Sequence, residues 1–323
     1  MNLSTYEADV KTIGVCLSTT FTVLGSCNLF TVSVILWSQN LRKHVTYLLV
    51  LLLSITDAFA CLTWGNVQGL LASVFGPSKS SLPEDIARLD NFCRWAGAWG
   101  WFCLYASPVG QALIAVNRFT AVFAPASYSR IFTVKNSVLI WLAIPWFFTF
   151  VVVFLLPGTR LIGSFTVLPT FGICMIDGRR AIWKLSLDIV FIYTPCAVML
   201  MSYIAIFLKL KMSNSAASRA EVKKRARGSL MMFWCFVGFV VCITPGPIFF
   251  QVTNSNGQLS INSLHALWTY WVTFLFGLNY GTNLLFYVLF NANFRAECFA
   301  FVACHGKKSR INPDSSAATK EKV

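Results

Sequence analysis

Two acids and one arginine stand where a charge is costly. Asp57 interrupts the otherwise apolar residues 46–73, Asp188 interrupts residues 185–207, and Arg118 ends a charge-free run that starts after Arg94. On insertion scales an ionisable group at mid-bilayer costs at least ~2.5 kcal/mol, so such groups pair, hydrate, neutralise or face a cavity. Asp57 is therefore paired, hydrated or protonated, and Arg118 snorkels, pairs or faces an internal space. Asp188 is either a binding-site acid or a boundary acid paired with Lys184 one helical turn earlier. Hydrolytic chemistry fits poorly. The histidines, His44, His265 and His305, all lie near loops, there is no metal-ligand set or close acid pair, and no enzyme is expected.

These charges matter because of what surrounds them. Hydrophobic residues make up 56% of the 323, charged residues 12%, and the mean hydropathy is +0.65, against about 25% charged in ordinary soluble domains. A bilayer core needs roughly 20 apolar residues per helix. No charge lies between Lys11 and Arg42, Arg94 and Arg118, or Lys135 and Arg160. Residues 46–73 and 185–207 add two spans, and the uncharged run 228–294 is cut in two by the polar stretch 251–263. Seven spans result. They are too long and too uniformly apolar for barrel strands, and lone strands cannot satisfy their backbone in lipid. The expected fold is an all-α membrane protein, a seven-transmembrane helix bundle with a short amphipathic eighth helix. Its parts are an extracellular N-terminus (1–11), the bundle (12–291), the eighth helix (292–305) and a disordered cytoplasmic tail (306–323).

With the N-terminus outside, eighteen of the 26 lysines and arginines face the cytosol, among them Arg42, Lys43, Arg118, Arg130 and Lys209. That is the positive-inside pattern of a multi-pass plasma-membrane protein. The net charge of +14 is then an orientation and inner-leaflet signal, and nucleic acid is excluded as a partner. Asn2 opens a glycosylation sequon on the outer side. Most of the eleven cysteines fall inside spans. Cys93 at the outer mouth of span three and Cys174 in the long outer loop lie in an oxidising compartment, and a disulfide between them is expected.

At the inner end of span three the sequence reads Asn117-Arg118-Phe119-Thr-Ala121-Val122-Phe-Ala-Pro125-Ala-Ser-Tyr128. With Cys93 preceding Arg118 by 25 residues, this resembles the rhodopsin-like, G-protein-coupled receptor family, whose pattern at this place is D-R-Y. Asn28, Asp57 and Trp141 match its marker residues in spans one, two and four, and Pro195 with Tyr203 matches span five. Phe239, Cys242 and Pro245 follow its F-x-x-C-W-x-P pattern in span six. Asn279, Asn283 and Tyr287 resemble the run ending in N-P-x-x-Y in span seven. Phe294-Arg295 is similar to the start of the family's eighth helix.

The resemblance implies roles. Asn117, Arg118, Phe119, Tyr203, Asn283 and Tyr287 would couple to a heterotrimeric G-protein, with Phe239, Cys242, Pro245 and Pro195 as the switch core. Tyr203 and Tyr287 are otherwise interfacial belt residues. Asp57, Ser107, Asn279 and Asn283, with Asn28 nearby, resemble the family's sodium pocket, so no cofactor is required beyond an allosteric sodium ion. The alternative is a protonated Asp57 in a hydrogen-bond network. Cys298 and Cys304 in the eighth helix are palmitoylation candidates.

Departures bear on mechanism. Asn117 replaces the acid that restrains the neighbouring arginine, and Arg225 stands where span six often carries an acidic partner, with Glu221 a turn away. Raised basal signalling follows as an expectation. Ile243 and Leu284 replace the switch tryptophan and the span-seven proline. Gly100 occupies the level at which amine receptors carry an aspartate, which disfavours biogenic amines. The outer halves offer a mostly aromatic pocket of Gly100, Trp101, Asp188, Phe191, Pro247, Trp271 and Phe274. Among subgroups the chain looks most like the nematode serpentine chemoreceptors, implying a small environmental ligand. A peptide ligand is the alternative, and a transporter or channel a more distant one. No lysine between His265 and Tyr287 is available for retinal.

Overall fold

A computed structural model describes residues 3–74, 83–156, 165–168, 173–176, 181–212, 229–246 and 263–303. They are helical almost throughout, as the uncharged runs require of a backbone that must bond to itself in lipid. Span one is Leu3–Trp37. Span two runs from Val45–Phe59 through a π-helical turn, Ala60–Gly65, into Asn66–Val74. Span three is the long helix Pro83–Phe123. Span four is Val134–Trp141 followed by π-helical Leu142–Phe148 and Phe150–Leu155, and span five is Ala181–Asp188, π-helical Ile189–Tyr193 and Thr194–Met212. Spans six and seven are Ser229–Ile243 and Ser263–Phe290, and the eighth helix is Ala292–Ala303.

Five of these contain stretches long and apolar enough to cross a membrane: Lys11–Trp37, Val45–Leu71, Val134–Leu155, Ile182–Met212 and Trp271–Phe290. Large apolar side chains such as Phe147, Met201, Val241 and Leu285 are exposed on the outside of the bundle, which suits lipid and would be a liability in water. The interior is closely packed. Trp141 is fully buried against span three at Gly110, where an added Cβ would stand 2.4 Å from its ring.

Prolines explain two of the irregular turns. Pro145 lies within Leu142–Phe148, and Pro195 follows Ile189–Tyr193. A proline removes one backbone donor and displaces the preceding carbonyls. Beside Pro195 the Ile189 carbonyl accepts both the Thr194 backbone N–H and, at 2.9 Å, the Thr194 hydroxyl.

A β-hairpin departs from the helical pattern. Phe165–Leu168 and Ile173–Ile176 pair antiparallel, with Val167 opposite Cys174. The period-two signal of two four-residue strands is too short to stand out beside spans of twenty or more residues. The eighth helix also differs in detail from a one-sided amphipathic helix. Phe294, Cys298 and Phe301 pack on the bundle, while Phe299 and Val302 are exposed. A helix between protein and lipid needs an apolar surface toward each. Asn291 accepts from the Phe294 amide at 3.1 Å to cap it, and Arg295 donates to the carbonyls of Val288 and Leu289, capping span seven.

Candidate functional site

Two polar clusters lie in the bundle. In the outer one, Asp188 is fully buried on span five. One carboxylate oxygen accepts from the Lys184 ammonium at 2.6 Å and the other from the Tyr105 hydroxyl at 2.7 Å. Lys184 and Asp188 are one turn apart, so a single helix aligns both. Tyr105 reaches them from span three. Around this triad Trp101 faces Tyr105 at 5.5 Å and the Lys184 ammonium at 5.7 Å, and Phe191 lies 5.4 Å from Tyr105. The Trp101 indole N–H is buried with no acceptor among the described residues.

Gly100 is next to this cluster and cannot carry a side chain. A Cβ there would stand 1.7 Å from the Trp64 ring, so the π-helical turn of span two places an indole where an anchoring side chain would project. Its indole N–H also has no partner. The outer hairpin is fixed above by the Cys93–Cys174 disulfide, across 81 residues of chain. Gln68 on span two clamps the same point, its amide accepting from the Cys174 N–H at 3.0 Å and donating to the Cys174 carbonyl at 3.3 Å.

The inner cluster is less complete. Asp57 is fully buried and accepts from the Asn283 amide at 2.9 Å through one oxygen. The Ser107 hydroxyl lies within hydrogen-bonding reach of the carboxylate, and both amide atoms of Asn279 are buried with no partner among the described residues. Asn28, expected beside Asp57, instead donates to the carbonyls of Tyr280 and Leu24, tying span one to span seven. Nearer the inner end, the Asn117 carbonyl accepts from Thr46 at 3.2 Å rather than engaging Arg118. Arg118 has no ion pair among the described residues, and its Nε is unpartnered. The phenols of Tyr128, Tyr47 and Tyr203 lie within electrostatic reach.

Residues 27–283 match the 7 transmembrane receptor (rhodopsin family). The chain belongs to this family of G-protein-coupled receptors. It is also similar to melatonin receptor type 1B-B of Danio rerio, 26% identical over 219 residues, which is 64% of this chain and 60% of that protein. The receptor thus spans about 60% of the length of this relative. It is a multi-pass membrane receptor and not an enzyme.

Within the receptor, the remaining expected residues are placed as follows. Phe239 and Cys242 are buried, as is Ile243, which fills the tryptophan position with a branched aliphatic chain in the core. Pro195 is buried and Pro245 half-buried. Tyr203 and Tyr287 are both 2% exposed, Tyr203 against Phe233 and Phe236, and Tyr287 against Phe294. Burial inside the bundle, not a belt position, is the finding for both. Phe119 stacks on Phe123 at 4.5 Å. Trp271 is 53% exposed, edge-on to a half-buried Phe274 and apart from the Trp101 cluster. Cys298 is turned inward rather than offered for acylation, and burial pushes its thiol up to about 11. Asn2, Pro247, Glu221, Arg225, Cys304 and the tail 306–323 lie outside the described residues. Trp64, Gln68 and Tyr105's bond to Asp188 were not anticipated, because each is a contact between helices that no local spacing encodes.

Proposed function

We propose that this receptor binds a small, non-amine extracellular molecule between spans three and five and activates a heterotrimeric G-protein through the inner ends of spans three, five and seven. Trp64 packed on Gly100 carries the ligand-class reading. With no room for an aspartate at that level, a protonated amine loses its usual counter-charge, and Asp188 is already neutralised by Lys184. The unpartnered Trp101 and Trp64 N–H groups favour a ligand presenting hydrogen-bond acceptors to an aromatic wall formed with Tyr105 and Phe191. Melatonin, named for the zebrafish relative, is a neutral amide of that kind and the first compound to test. The chemosensory role suggested by the nematode-like inner loop, and a peptide ligand, are the other readings of the same pocket.

In this reading the N-terminus lies outside and the C-terminus in the cytosol, in the plasma membrane. The inward excess of basic residues and the Cys93–Cys174 disulfide near the opposite face support this orientation. The oxygens of Asp57, Ser107 and Asn279, beside Asn283, would suit an allosteric sodium ion, since an all-oxygen donor set favours a hard cation. Bound there, sodium would supply positive charge to a buried carboxylate.

The test is G-protein activation in cells expressing wild type or Arg118→Ala at matched surface levels, with and without melatonin and a panel of neutral and anionic small molecules. Activation by wild type alone supports coupling. Activation by amines, abolished by Asp188→Asn, would overturn the ligand class.

A further inference from the structure

Gln111 lies on span three, one turn inside Ser107 and two turns outside Arg118. It is 5% exposed, and neither its amide nitrogen nor its oxygen has a hydrogen-bond partner among the described residues. The side chain borders a small cavity shared with Tyr203 of span five, Met232 and Cys235 of span six, and Asn283 and Tyr287 of span seven. An amide brings two N–H donors and an acceptor. A buried polar group left unmade costs about 1–3 kcal/mol. The cavity leaves about 10 Å³ for the centre of a water molecule, marginal for a single water. One water cannot satisfy the whole amide.

The wall that keeps it unsatisfied is specific. Met232 and Cys235 are buried side chains of span six, and neither is a strong hydrogen-bonding group. The polar groups around the cavity belong to spans five and seven. An outward movement of the inner end of span six would withdraw Met232 and Cys235 and admit water, or the hydroxyls of Tyr203 and Tyr287, to the amide. The two arrangements therefore differ in how well Gln111 is satisfied, and a group better satisfied in one state shifts the population toward it.

We propose that Gln111 is a positioning residue for activation, a buried amide that is under-satisfied while span six is packed inward and satisfied when it moves out, so that it raises ligand-free signalling. The proposal rests on the G-protein-coupled reading. It adds to the missing restraint at Asn117 a second, independent push in the same direction, located a full turn and more from Arg118.

Removing the amide while keeping the volume isolates the effect. In Gln111→Leu, ligand-free nucleotide exchange per surface receptor should fall about tenfold, and the Tm of detergent-purified receptor should rise. Gln111→Asn, which keeps an amide, should retain most of the wild-type exchange. A purely structural role would move Tm without separating the two variants in exchange. Gln111→Leu signalling at or above wild type, or melting lower, overturns the proposal. If wild type and Arg118→Ala are both silent, the coupling reading fails and the claim for Gln111, which rests on it, is overturned with it, whereas Gln111→Leu signalling like a wild type that does couple overturns the claim for Gln111 alone.

Discussion

The outer and inner halves of the bundle each bury an acid, and they treat it oppositely. Asp188 has both oxygens matched, one by Lys184 and one by Tyr105. Asp57 has one oxygen matched by Asn283 and Ser107 within reach of the carboxylate, and from there to the inner end Asn279, Gln111, the Asn117 amide nitrogen and Arg118 Nε have no partners among the described residues. Low dielectric makes a completed network strong and an incomplete one expensive. The outer acid is therefore fixed by its own contacts, with the Trp64 and Trp101 N–H groups beside it left for a ligand, whereas the inner acid stands among polar groups in reserve for water, an ion, or a protein arriving from the cytosol. Bistability in a receptor belongs in the second kind of region.

The contrast can be broken at its strongest point. Lys184→Ala leaves Asp188 buried beside a single phenol and should cost about 3–5 kcal/mol, whereas Lys184→Met with Asp188→Leu should recover much of that loss. Thermal melting of purified receptor checks both. If Lys184→Ala melts like wild type, the outer pair is not the completed network described here.

Gly100→Ala comes next. Its Cβ meets the Trp64 ring at 1.7 Å, and forcing that wall apart should cost about 1–3 kcal/mol. Surface expression and melting should fall together, and an unchanged Tm would remove Trp64 from its place against span three.

In the inner half the sign reverses. Asp57→Asn should be neutral or stabilising in sodium-free buffer. Sodium at ten times its Kd should stabilise wild type by roughly 1.4 kcal/mol and the variant not at all. A potassium control separates a specific site from ionic strength, and an equal rise in the variant would exclude Asp57 as the ligand. The smallest effect is Asn117→Asp. A carboxylate beside Arg118 at the membrane boundary should contribute about 0.5–1 kcal/mol and lower ligand-free signalling two- to fivefold, and a rise would contradict the absent-restraint account.

What the sequence made legible follows the range of the interactions. The seven spans came from charge-free runs, and Lys184 with Asp188 came from a spacing of four on one helix. Cys93 with Cys174 came from their shared outer side, and Asp57 with Asn283 from the family resemblance. Neither told that the Asn28 amide turns to the Tyr280 carbonyl, nor did the aromatic character of Trp271 reveal its outward face. Tyr105 on Asp188, Gln68 on the Cys174 backbone and Trp64 on Gly100 depend on how three helices approach one another. The π-helical turn Ala60–Gly65 that carries Trp64 contains no proline to announce it. Gln111 was silent for a simpler reason. A single glutamine in an apolar run reads as tolerated until the structure shows that its amide has no partner.

The most direct test of the account is ligand-free GTP exchange by a heterotrimeric G-protein with the purified receptor in lipid nanodiscs, wild type against Arg118→Ala. Exchange above the receptor-free rate for wild type, lost in the alanine variant at equal folding, is the predicted result. Equal rates from the two folded proteins would contradict it.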